Sequence, residues 1–195
     1  MFAYSFMQRA LIAIILLGII LPIIGLNMTT KRLSMIGDTL SHTSLCGIAL
    51  GLAAGTMPTV WAIGVSIVAG IIIEIVRNHF KKYSELTLSI VMSTAVGVAG
   101  ILTSKWASGN KIESYLFGSL ITVQWDSIWI IIGVSIITIL FNLIFYRTIM
   151  YTSYSESEAR ISGVPVKAMN LINTILVACV VAVASSIIGS LLVTS

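Results

Sequence analysis

Asp38 and His42 are the residues whose types and spacing could do chemistry. They stand four apart in the otherwise apolar stretch Ser34–Gly55, SMIGDTLSHTSLCGIALGLAAG. On a helix, that spacing stacks two side chains on one face. A charged aspartate near the middle of a membrane-spanning helix costs roughly 2.5–3.5 kcal/mol on insertion scales, so it needs either a function or a partner there. Two readings fit the pair. The imidazole could hydrogen-bond the carboxylate, or a neighbour, and merely satisfy it. Alternatively, carboxylate oxygen and imidazole nitrogen together hold a divalent cation, since both are ordinary ligands of Zn²⁺ and Mn²⁺. Two ligands do not make a site, so other segments or water must complete it.

The same stretch carries Gly47, Gly51 and Gly55, again at spacing four. At about 100° per residue the glycines fall roughly opposite Asp38 and His42. One helix is therefore expected to offer two faces. The glycine face lets another backbone approach closely, and the Asp/His face looks into something polar.

Other reactive residues carry less. Glu74 lies three before Arg77 and four before Asn78, and pairing with Arg77 explains it better than a ligand role. His79 falls in the basic run RNHFKKYSE, residues 77–85, where a solvated loop histidine is expected. Cys46 and Cys179 lie in separate apolar runs and read as small core residues. No HExxH and no GxxxxGK[ST] occurs in the chain. The sequence thus shows neither a zinc-protease helix nor a nucleotide-binding loop of its own. An intramembrane metalloenzyme built on Asp38 and His42 would need a third ligand and a general base, and no convincing set is visible.

The elements that must position the pair are membrane helices. Of 195 residues 57% are hydrophobic and 9% charged, against about 25% charged in soluble domains. The net charge of +4 comes from Lys and Arg scattered between apolar runs. That pattern is a topology signal and no footprint of nucleic acid. Residues 10–30 carry no charge and are long enough to span the roughly 30 Å hydrocarbon core, with Pro22 as an expected kink. The 35 uncharged residues 39–73 divide at Gly55-Thr56-Met57-Pro58 into spans 34–54 and 58–76. Further spans are expected at 86–104, 127–146 and 168–195. Tyr115–Val123 is too short to cross and reads as an interfacial or re-entrant helix, with Trp106, Trp125 and Trp129 as an aromatic belt. The fold expected is an all-α polytopic bundle of about six transmembrane helices in a single domain, 1–195. With six crossings, eight of the eleven Lys and Arg collect on one side. That side is then cytoplasmic and the N-terminus external.

The run Gly37-Asp38-Thr39-Leu40-Ser41-His42, with Gly47 five residues on, resembles the signature of the permease subunits of zinc, manganese and iron ABC importers. Leu116-Phe117-Gly118 resembles a further family motif. The wording Ile-Gly-Asp-Thr-Leu-Ser-His is more similar to the zinc-type branch. The resemblance implies a non-enzymatic transporter subunit in a bacterial plasma membrane, with no permanent cofactor and a dication held in transit by Asp38 and His42. It implies a separate ATPase on the cytoplasmic side, an external metal-binding protein and a second permease copy. Ser155–Val164 is similar to the coupling helix of such importers, with Ala159 and Gly163 meeting the ATPase. Ser155 and Glu158 form a capping box, and Pro165 stops the helix. Family members continue beyond the Gly-x-Leu-Leu-Val run at 189–193 by two or three crossings, so the chain is expected to lack its last helices. Manganese or iron as cargo stays open, as does a permease for metal chelates or cobalamin.

Overall fold

The structure is a computed structural model that describes residues 5–31, 33, 35–80, 83–106, 125–154, 159 and 161–193. Among these residues every regular element is a helix. In chain order they are α1 (Ser5–Thr30), α2 (Ile36–Ala54), α3 (Pro58–His79), α4 (Ser84–Trp106), α5 (Trp125–Ile144), α6 (Tyr146–Tyr154), α7 (Val166–Ile188) and α8 (Ser190–Val193).

Five of them, α1, α3, α4, α5 and α7, are long and apolar enough to cross a membrane. The remaining span expected from sequence is α2, 19 residues long. Asp38, His42 and its Ser and Thr residues lower its hydropathy. Length is sufficient, because 19 residues rise about 28 Å. Its setting explains how lipid tolerates its polarity. α2 packs against α3, α4, α7 and α8 and is buried along most of its length. The hydroxyls of Ser41, Thr43 and Ser44 donate to carbonyls of their own helix, to Asp38, Leu40 and Ser41 respectively, at 2.7–2.9 Å. Side-chain donors in lipid are thereby satisfied without a partner helix.

The sequence pattern accounts for most boundaries. α2 ends at Gly55, whose φ of +68° is left-handed. The amides of Gly55 and Thr56 close back on the carbonyls of Leu52 and Gly51, the double closure that glycine permits after a last turn. Pro58 then opens α3, where its missing N–H costs nothing. The run expected to span 127–146 breaks at Phe145. The polar nonamer after it forms α6, which the sequence reading placed outside the membrane without a helix. Ile149 and Thr152 are its buried positions, and it contacts α1 and α5. The last span is also interrupted, by Gly189 at φ +100°, between α7 and α8.

Packing puts α2 and α7 inside and leaves α4 largely exposed. One apolar cluster joins Ile20, Ile24 and Met28 of α1 with Ile36 and Leu40 of α2, Ile73 of α3 and Val177 of α7. Two polar ties bind α1 into the bundle. Asn27 donates to Asn142 of α5 at 2.8 Å, and Lys31 donates to Asn170 of α7 at 2.8 Å. Trp129 is exposed on α5, as an aromatic-belt residue would be. The proposed interfacial segment, Tyr115–Val123, lies outside the described residues, as do the side chains of Trp106 and Trp125.

Candidate metal centre

Asp38 stands in the first turn of α2 and His42 one turn further on. His42 Nε2 lies 3.4 Å from Asp38 Oδ1, with side chains 21% and 33% exposed respectively. At that distance a direct hydrogen bond is weak, because N–H···O bonds cluster at about 2.9–3.0 Å. The separation has another meaning. Two ligand atoms each about 2.1 Å from a tetrahedral Zn²⁺ stand about 3.4 Å apart, whereas a right-angled bite at the same bond length brings them to about 3.0 Å. A separation of 3.4 Å is compatible with both atoms ligating one dication. Among the described residues no group of three or more His, Cys, Asp and Glu comes together.

Depth follows from helix register. A Cβ on Gly47 would meet Ala62, and one on Gly51 would meet Pro58. α2 therefore runs antiparallel to α3, and the same register puts Asp38 level with Ile71 and His42 level with Ile67. At about 1.5 Å per residue, His42 is about 18 Å from the His79 end of α3 and about 14 Å from the Pro58 end. The imidazole is level with the middle of α3 although Asp38 is only the third residue of its own helix. The chain achieves this by starting α2 late, inside the bundle, where Ile36 packs beside Ile73.

The opposite face of α2 carries the close approach. The hypothetical Cβ of Gly47 lies 2.6 Å from both Ala62 Cα and Trp61 O, and that of Gly51 lies 2.8 Å from Pro58 Cα. Backbone meets backbone there, which only glycine allows. Gly55 is a correction to the expected three-glycine face. Its Cβ would enter open space, and its use is the left-handed turn that ends α2.

Glu74 is 1% exposed. Its Oε1 accepts from Arg77 at 2.8 Å and from Asn78 at 3.2 Å. Its Oε2 accepts from Thr174 of α7 at 3.2 Å, a tie across the bundle that no sequence pattern marks. With three donors satisfied, this carboxylate is structural. His79 is the exposed last residue of α3, 5.8 Å from the ring of Phe80.

In the segment expected to couple to an ATPase, Glu158 and Ser155 lie outside the described residues. Of the two residues expected to meet the ATPase, Ala159 is buried in this chain and Gly163 forms a left-handed turn. The Ala159 carbonyl accepts from Val164 N at 3.1 Å, a closure around Gly163, whose φ is +78°. The exposed apolar side chain of the segment is Ile161, at 87% exposure. No periodicity marks it in a stretch this polar.

Among the described residues the chain is a bundle of helices, five of them long and apolar enough to cross a membrane, with an acid and an imidazole one turn apart on a further helix packed among them. Residues 3–195 match the ABC 3 transport family, and the chain belongs to that family, the metal-importer permeases its sequence resembles. It is 31% identical over 195 residues, all of this chain and 73% of the relative, to a "Probable metal transport system membrane protein" of Treponema pallidum (strain Nichols). It is 30% identical over 190 residues, covering 97% of this chain and 68% of the relative, to the manganese import system permease protein ScaB of Streptococcus gordonii. It is 27% identical over 195 residues, covering 98% and 74%, to the high-affinity zinc uptake system membrane protein ZnuB of Haemophilus influenzae. Among solved structures, PsaBC from Streptococcus pneumoniae in complex with Fab is similar with a TM-score of 0.83 and 28% identity. That likeness covers 98% of this chain and 69% of the matched one.

Proposed function

We propose that the chain is the membrane-spanning subunit of an ATP-driven importer of divalent metal in a bacterial plasma membrane, with Zn²⁺ as its cargo. Asp38 and His42 are the ligands that hold the ion in transit, and it binds no permanent cofactor. The observation that carries this reading is their 3.4 Å separation level with the middle of α3, which is compatible with both atoms ligating one dication. Two donors per chain, both partly exposed, leave corners to be filled by a second copy of the permease or by water. A sparse site also lets the ion leave, which a closed four-ligand cage would not.

Energy comes from a separate ATPase, which docks on the cytoplasmic face at the segment around Ile161 and Gly163, with Glu158 in the same loop. An external metal-binding protein delivers the ion. The N-terminus is external, which puts eight of the eleven basic residues inside.

The relatives favour a second reading of the cargo. ScaB is a manganese permease and ZnuB a zinc one, and Asp and His serve both metals. Cells lacking the chromosomal copy separate the readings by their uptake of Zn²⁺ and Mn²⁺. The wild-type gene is expected to restore Zn²⁺ accumulation, and Asp38→Ala to abolish it at unchanged protein abundance. Normal uptake by Asp38→Ala would refute the site, and restored Mn²⁺ uptake alone would move the assignment to manganese. A permease for chelates would show no ATPase stimulation by free Zn²⁺ or Mn²⁺.

A further inference from the structure

A cleft of about 510 Å³ opens between the start of α2 and the start of α4, lined by Met35, Tyr83, Ser84, Glu85, Leu86 and Ser89. These residues carry three hydroxyls, of which Ser89 Oγ donates to Glu85 O at 3.1 Å, and Glu85 is the one charged group among them. α2 meets α4 where Thr39 Oγ1 approaches Leu88 O at 3.5 Å. Met35, just before α2, already has helical φ and ψ of −78° and −5°, so the helical register runs back to it. At about 100° per residue, His42 projects within about 20° of Met35, Asp38 about 60° to one side and Thr39 about 40° to the other. Asp38 is about 4.5 Å along the axis from Met35. The cleft thus begins one turn from Asp38, on the side of α2 that carries the pair.

We infer that this cleft is the passage by which the dication moves between the Asp38/His42 pair and water on the side of α2's first turn, with Glu85 the carboxylate at its mouth. The inference rests on the permease reading. An ion leaving two protein ligands must regain its water. Six first-shell waters fill about 180 Å³ at about 30 Å³ each, well within the cleft. Carboxylate and hydroxyl oxygens are suitable donors for a partly hydrated dication. Glu85 is exposed, so it keeps its own water and holds the ion loosely. In the proposed orientation this mouth opens to the cytoplasm, which makes Glu85 an exit residue.

The test is Zn²⁺ and Mn²⁺ uptake by the assembled transporter in liposomes. Glu85→Gln is expected to lower the maximal rate by as much as about tenfold, the factor a dication and a carboxylate about 6 Å apart give at water-like screening. KM for the delivered metal stays unchanged, and Glu85→Asp restores most of the rate. Ser89→Trp, which fills the cleft from an exposed position, slows uptake in the same way. Wild-type rates for Glu85→Gln and Ser89→Trp beside an inactive Asp38→Ala would overturn the passage and leave the permease reading standing. Failure of Glu85→Asp to restore the rate would also overturn it, by making Glu85 a structural residue. Normal uptake by Asp38→Ala would overturn the permease reading itself.

Discussion

Replacing Gly47 by Ala tests the mounting of the metal ligands without touching them. The added Cβ would stand 2.6 Å from Ala62 Cα and Trp61 O and 2.9 Å from Ala62 N, where ordinary contact begins at 3.4 Å. All three atoms are backbone, so no rotamer change relieves the clash. α2 and α3 must separate by about 0.8 Å at this point, and α2 is already held by α4 and α7 on its other sides. Overpacking of this kind costs about 1–3 kcal/mol, and the backbone contacts put Gly47 at the top of that range. Alanine regains about 1 kcal/mol as a better helix former. The clash wins by about 2 kcal/mol, which soluble chains of this size register as a fall in Tm of about 4–8 °C. Gly97→Ala is the control, because nothing lies within 4 Å of its Cβ; it should melt level with the wild type or slightly above it. Thermal melts of the detergent-purified transporter decide the matter. If Gly47→Ala melts with the wild type, or Gly97→Ala falls as far, the account of the α2–α3 interface is wrong.

Two further substitutions probe other joints. Glu74→Ala should destabilise by about 3 kcal/mol in the same melts, because it strands the Arg77 guanidinium in a largely buried position; the double variant Glu74→Ala/Arg77→Ala should recover part of that loss, and no recovery would remove ion pairing as the cause. Gly55→Ala should cost about 1 kcal/mol through its left-handed φ, whereas Gly55→Asn should lose only a few tenths; equal losses for the two would show that space rather than backbone conformation matters there.

What the chain declares openly is its apolar arithmetic. Charges and prolines bound α1, α3 and α4 within a few residues, because a helix in lipid must stay uncharged for about 20 residues and then stop. The Asp38/His42 spacing is legible for the same reason, since few other polar residues compete for attention in such a run. Long-range ties are not legible. Thr174 reaches Glu74, and Asn27 reaches Asn142, across a hundred residues of sequence or more. Hydropathy carries no information on which face of one helix meets which face of another. The exposure of Ile161 and the burial of Ala159 are not legible for a different cause. They fall in a short segment around the left-handed Gly163, where periodicity has no length to act.

The two faces of α2 explain each other. A pair of ligands on a helix free to roll would present a variable bite, and metals that share Asp and His as ligands are told apart by geometry rather than by ligand type. The glycine contacts remove that freedom, since a helix pressed backbone to backbone against α3 can neither roll nor slide without a clash. Gly47 lies five residues beyond His42 on the far side of the same helix, so the residue with no side chain fixes the direction in which the imidazole points. On the proposed reading, selectivity between Zn²⁺ and Mn²⁺ therefore depends on how two such fixed pairs face one another across a subunit pair. A substitution at the glycine face should then shift the preference between the metals before it abolishes uptake of both. Comparing the ratio of Zn²⁺ to Mn²⁺ uptake in Gly51→Ala with that of the wild type measures this directly. An unchanged ratio at a reduced overall rate would show that the mounting of α2 governs stability alone.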